Sequence, residues 1–104
     1  MMKRRPSDLE EHEDTIAALA KALTGLRDAR QVRAFLEDLC TPAELEAMSD
    51  RWRVVPLLLE GVPYREIHDR TQVSVTTIGR VARTLDRGAG GYAAALKRRA
   101  PHAG

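Results

Sequence analysis

The tetrapeptide Thr41-Pro42-Ala43-Glu44 fixes a helix start more firmly than any other stretch of this chain. Thr41 can cap free amides, Pro42 suits the first helical position because it has no amide hydrogen to satisfy there, and Glu44 completes a capping box. Leu45, Met48, Trp52, Val55 and Leu59 then recur at three- and four-residue steps, the spacing of one helix face. Pro56 falls inside this run. It removes one backbone donor and crowds the carbonyl four residues back. A kink is expected there, with Leu57-Leu58-Leu59 carrying the helix on to a glycine cap at Gly61.

The same signals recur on both sides. Ser7 and Glu10 form a second capping box, followed by Ile16, Leu19, Ala20, Leu23 and Leu26 at helical spacing, with Gly25 near the end. Ala29 to Leu39 reads as a short helix with Val32, Phe35, Leu36 and Leu39 on one face. Aromatic residues make up 4% of the chain and charged residues 31%. That balance disfavours a β-sandwich and suits helices with charged outer faces. The fold class is therefore all-α. At 104 residues a single domain, 1–104, is expected, with flexible ends at 1–6 and 100–104. A core this small leaves room for a second copy to bury more surface. Cys40 is the one cysteine, which excludes an intrachain disulfide and a cysteine-rich zinc site. No apolar run reaches membrane-spanning length, and the basic start is followed by acidic residues, so a cytoplasmic protein with no membrane partner is expected.

Charge is distributed unevenly. Met1 to Val62 holds nine Lys/Arg against twelve Asp/Glu, a net −3, and Pro63 to Gly104 holds eight against three, a net +5. The basic part contains a helix at 63–71, a tight turn at Gln72-Val73-Ser74 with Ser74 capping, a helix from Val75 to about Arg87, a Gly88-Ala89-Gly90-Gly91 stop, and a last helix from Tyr92 to Arg99. The segment at about 64–86 has the requirements of a helix-turn-helix. Ile67 faces inward, Val73 anchors the chain after the turn, and Ile78 and Val81 contact the first helix. Gln72 stands where glycine is usual and His68 where a small residue is usual. Val75, Thr76, Gly79 and Arg83 face outward, flanked by Ser74, Thr77 and Arg80. Residues at the start of such a helix reach base edges in the major groove, and Arg65, Arg70, Arg80, Arg83 and Arg87 supply charge for phosphates. An ordinary helical hairpin with a solvated basic face is the alternative.

From about Leu36 to Leu85 the chain resembles the Trp repressor superfamily, and within it the YerC/YecD group. The resemblance is carried by Leu39-Cys40-Thr41-Pro42-Ala43-Glu44-Leu45-Glu46-Ala47-Met48, Arg51-Trp52-Arg53-Val54-Val55, Leu58-Leu59-Glu60-Gly61, Arg65-Glu66-Ile67 and Thr77-Ile78-Gly79-Arg80. It implies a Trp repressor-like helical fold, an intertwined homodimer interlocked through the helices before Gly61, and double-stranded DNA as partner. Two recognition helices would enter successive major grooves about 34 Å apart. It further implies that Arg65 contacts a base, that Val75, Thr76 and Gly79 line base edges, and that Thr77 meets phosphate. Gly79 stands where the repressor has a hydroxyl residue, so side-chain readout at that point is lost. His68, on the first helix of the motif, is a further phosphate candidate. In the family two arginines sandwich a tryptophan effector. Arg51 and Arg80 match them, Thr41 matches a pocket threonine, and Thr84 replaces a serine. Val81 replaces a glycine beside the ligand, and its side chain would crowd an indole at a cost on the order of 1–3 kcal/mol. A different small-molecule co-repressor, or none, is expected. Phosphate contact or salt bridging at the dimer interface are equal readings of Arg51 and Arg80.

Other features are better explained by packing. Trp52 reads as a core residue, Cys40 as a small half-buried one, and His12, His68 and His102 lack metal-ligand spacing. The run Glu10-Glu11-His12-Glu13-Asp14 is a solvated helix face. No nucleophile–base pair or carboxylate pair is evident, so no enzyme is expected. The basic part lacks the aromatic platforms that stack single-stranded bases. The expected function is a sequence-specific DNA-binding regulator, more often repressing than activating, with a protein–protein adaptor that grips an acidic partner as the alternative.

Overall fold

The computed structural model describes residues 6–99, with side chains from 14 to 97. Every regular element among them is a helix: α1 (Pro6–Thr24), α2 (Ala29–Leu39), α3 (Pro42–Leu59), α4 (Tyr64–Thr71), α5 (Val75–Arg87) and α6 (Gly91–Arg99). The Ser7 and Glu10 side chains of the predicted cap lie outside the described ones, and α1 already opens at Pro6, so Ser7 stands inside the first turn and not ahead of it. Of the ends expected to be flexible, 1–5 and 100–104 lie outside the described residues.

The chain divides into two compact units, residues 1–41 and 42–104. In the first, α1 closes on hydrogen bonds from Gly25 N–H to the Ala22 carbonyl and from Leu26 N–H to the Leu23 carbonyl. Asp28 caps α2, accepting from Gln31 N–H at 2.9 Å, and the Gln31 side chain reaches back to accept from Arg27 N–H at 2.8 Å. This reciprocal pair satisfies amides that a helix start leaves free. Asp-x-x-Gln is legible in the sequence at 28–31 but was not singled out there. None of the α2 residues is fully buried. Val32, Phe35 and Leu36 are half-buried and Leu39 is exposed.

The second unit holds the core. Val54 and Val55 of α3, Ile67 of α4, Val73 of the turn, and Ile78 and Val81 of α5 are buried together, with Trp52, Leu57, Leu58, Val62, Leu85, Tyr92 and Leu96 packed around them. The Trp52 and Tyr92 rings, with centroids 6.2 Å apart, tie α6 to α3. The expected face of α3 is only partly the buried one. Val55 is buried and Trp52 half-buried, but Met48 is exposed and Leu59 is 60% exposed. The reason is that α3 is apolar on more than one face: Val54 and Val55 lead one face into the core, and Met48 and Leu59 remain on the surface.

Pro56 does not end α3, which continues to Leu59. The helix closes in a Schellman motif, with Val62 N–H on the Leu57 carbonyl and Gly61 N–H on the Leu58 carbonyl, both 3.0 Å. This turn requires φ of +80° at residue 61, which glycine adopts without a Cβ penalty. The chain leaves α3 in the direction that lets α4 and α5 fold back over Val54 and Val55.

Candidate nucleic-acid interface

The helix-turn-helix is built around a turn that is hydrogen-bonded from three sides. Gln72, following α4, takes the left-handed conformation, with φ of 65°. Its N–H donates to the His68 carbonyl at 2.7 Å and its side-chain amide donates to the Asp69 carbonyl at 3.1 Å. The buried Thr71 hydroxyl donates to the Ile67 carbonyl at 2.7 Å and accepts from Val73 N–H at 3.1 Å. His68 Nδ1 lies 2.8 Å from the Val73 carbonyl. A carbonyl only accepts, so Nδ1 is the protonated nitrogen. Ser74 caps α5, accepting from Thr77 N–H at 3.1 Å and donating to the Thr77 hydroxyl at 3.0 Å. No buried side-chain polar atom among the described residues lacks a partner, and Val73 is held in the core.

That arrangement sets which face α5 shows to solvent. Ile78 and Val81 are fully buried and Leu85 partly so, which turns Val75, Thr76, Arg80, Arg83 and Arg87 outward. Val75 is 50% exposed. Gly79 lies on the same outward side and is half-buried. Arg80 and Arg83 have no ion-pair partner among the described residues, nor does Arg65 at the start of α4. Arg70 is held by Glu66 and Arg87 by its neighbour Asp86 at 3.5 Å. The C-terminal end of α5 is tight. Gly88 N–H donates to the Thr84 carbonyl at 2.7 Å, and a Cβ on Gly88 would lie 2.5 Å from that oxygen.

Of the residues proposed from the sequence to meet DNA, Arg65, Ser74, Val75, Thr76, Arg80 and Arg83 are exposed, and Thr77 and Gly79 are half-buried. The Ser74 and Thr77 hydroxyls are engaged with each other, and His68 braces the turn through Nδ1. Thr71 carries two hydrogen bonds of the turn but was not singled out in the sequence. Arg53 was missed as well: it reaches from α3 to the Thr71 carbonyl at 3.4 Å and pairs with Asp50 at 3.8 Å. The Arg53 role has no signal in the sequence because it depends on how α3 and α4 cross, and the Thr71 role depends on its hydroxyl facing inward.

Two of the residues matched to an effector pocket, Arg80 and Thr84, come together. A depression of about 240 Å³ is lined by Arg80, Arg83, Thr84, Arg87 and Gly88. Arg51 does not line it; it is half-buried on α3, and the Thr84 hydroxyl donates to the Arg80 carbonyl at 3.1 Å. Thr41 belongs to the other compact unit. Val81 is 1% exposed and packed in the core.

Comparison with known proteins agrees with this geometry. Residues 14–100 match the family described as Trp repressor protein. The "Uncharacterized protein YerC" of Bacillus subtilis (strain 168) is 36% identical over 80 residues, 77% of each chain. The crystal structure of a "putative Trp repressor" from Staphylococcus aureus is 30% identical and superposes with a TM-score of 0.76, covering 83% of this chain and 86% of that one. The chain belongs to the Trp repressor family.

Proposed function

We propose that this protein is a sequence-specific DNA-binding transcription regulator, a repressor, that acts in the cytoplasm as a homodimer through α4 and α5. The observation that carries this reading is the outward face of α5. Val75, Thr76, Gly79, Arg80 and Arg83 lie opposite the buried Ile78 and Val81, and the two arginines have no carboxylate partner among the described residues. A helix placed in a major groove needs small or polar side chains near its start and cations alongside for the phosphates. In this reading Arg65, Val75, Thr76 and Gly79 meet base edges. Ser74, Thr77, Arg80 and Arg83 meet the backbone, and His68 does so through Nε2–H when both ring nitrogens are protonated. Both compact units together form the one domain of each protomer.

The homodimer is supported by apolar surface that one chain leaves open. Ile16 and Leu19 of α1, Leu39 of α2, and Met48 and Leu59 of α3 are exposed. A palindromic duplex site follows from twofold symmetry. The reading assigns no tryptophan co-repressor. The resemblance puts Val81, where the repressor has glycine, beside the ring, and the Thr84 hydroxyl is already donated within α5. No helix among the described residues is long and apolar enough to cross a membrane.

Binding to duplexes selected from a random pool tests the reading. Affinity is expected to fall steeply with salt, as phosphate neutralisation requires. Arg65→Ala should flatten the preference at one base position, while Lys97→Ala should weaken all sequences alike. No binding at low salt would favour a protein–protein adaptor, and an equal loss on every sequence would remove Arg65 from base readout.

A further inference from the structure

Gly79 has no side chain and lies on the outward side of α5, yet it is only half exposed. What covers it comes from α4. A Cβ at Gly79 would lie 3.9 Å from Cε2 of Tyr64, and no other atom beyond its own stretch of helix comes within 4 Å. That distance is ordinary contact, so the fold does not demand glycine here, and glycine in mid-helix is a poor choice for stability. Tyr64 is the first residue of α4 and is 42% exposed. Its hydroxyl has no hydrogen-bond partner among the described residues, and it is next to Arg65, which also lacks one.

We infer that Tyr64 reads a base, its phenol supplying from α4 the side-chain contact that α5 lacks at Gly79. The inference rests on the proposal that α5 lies in a major groove. An aromatic ring presents apolar edge and a hydroxyl in one rigid group. The edge suits a thymine methyl, and the hydroxyl donates to an acceptor on a base edge, such as a purine N7. The duplex is then read by adjoining residues of two helices, Tyr64 and Arg65 on α4 and Val75 and Thr76 on α5. A methyl on Gly79 would fit against Cε2 of the ring at ordinary contact distance and add its own apolar surface at the base pair that the hydroxyl reaches.

Sequences selected from a random duplex pool by the wild-type protein, Tyr64→Phe, Tyr64→Ala and Gly79→Ala test this. Tyr64→Phe keeps the ring against Gly79, so its helicity and melting temperature are expected to match the wild type. Its preference at one base pair of each half-site is expected to drop about tenfold, with the rest of the profile kept. Gly79→Ala should alter the preference at that same base pair. An unchanged profile for Tyr64→Phe overturns the inference, as does an equal loss on every sequence, which marks a phosphate contact. A Gly79→Ala effect at a different base pair also overturns it. The wild-type profile separates the two levels: if it has no sequence preference, the regulator reading fails and the role of Tyr64 fails with it.

Discussion

At Gln72 the backbone holds φ of 65° with a side chain that disfavours it. The left-handed conformation costs an L-residue on the order of 1–2 kcal/mol, and only glycine escapes it. The strain persists because Gln72 N–H and its side-chain amide both bond back onto α4, while Thr71 and Val73 on either side are buried. The glycine expected in a turn of this kind is thus missing from the sequence, while the conformation that favours it is present. Gln72→Gly is expected to raise stability by about 0.5–1 kcal/mol, the relief of strain less the added freedom of the unfolded chain. Urea denaturation at one fixed protein concentration measures it. A loss of stability would mean that the bond from the Gln72 amide to the Asp69 carbonyl outweighs the strain.

The turn works as an element because one hydroxyl serves both of its sides. Thr71 donates to the Ile67 carbonyl and accepts from Val73 N–H, so it joins the end of α4 to the residue that anchors α5. Thr71→Val preserves shape but leaves the Val73 amide without a partner. Leaving a buried donor unsatisfied costs about 1–3 kcal/mol. Thr71→Ser, which keeps the oxygen, is expected to lose less than half as much in the same denaturation experiment. DNA affinity should follow stability in both variants, since the angle between α4 and α5 depends on Val73 staying seated. Val73 was legible as an anchor from its place after the turn. Thr71 was not, because a threonine before a glutamine carries no mark that its hydroxyl will face inward.

For the whole molecule, the distribution of buried residues matters most. Among the described residues, the buried hydrophobic side chains all come from the 42–104 unit, while Ile16, Leu19 and Leu39 of the 1–41 unit are exposed. Burial of apolar surface is the main favourable term in folding and association, so in the proposed homodimer those residues would give a second copy its hold. Wild-type protein is expected to melt at higher temperature as its concentration rises. Ile16→Glu should shift the species seen by analytical ultracentrifugation from dimer toward monomer, and weaken binding to a palindromic duplex far more than to a single half-site. A monomeric wild type at micromolar concentration would sink the proposal that this face is self-complementary.

The sequence by itself determined the six helices, the signals that start and stop most of them, and the four anchors Ile67, Val73, Ile78 and Val81. All of these are local: capping, three- and four-residue periodicity and glycine placement act within a few residues of chain. It also marked Arg65, Thr76, Arg80 and Arg83 as the outward charged and polar residues, because their spacing from the anchors fixes which side of the helix they take. Only the tertiary structure decided that Val54 joins Val55 on the buried side of α3 while Met48 and Leu59 stay exposed. It alone assigned the turn's hydrogen bonds to Thr71 and His68, and it alone laid Tyr64 across Gly79. The turn's bonds depend on which way the Thr71 and His68 side chains face, and the rest on how one helix crosses another, which is set by packing between side chains distant in sequence that no local pattern records.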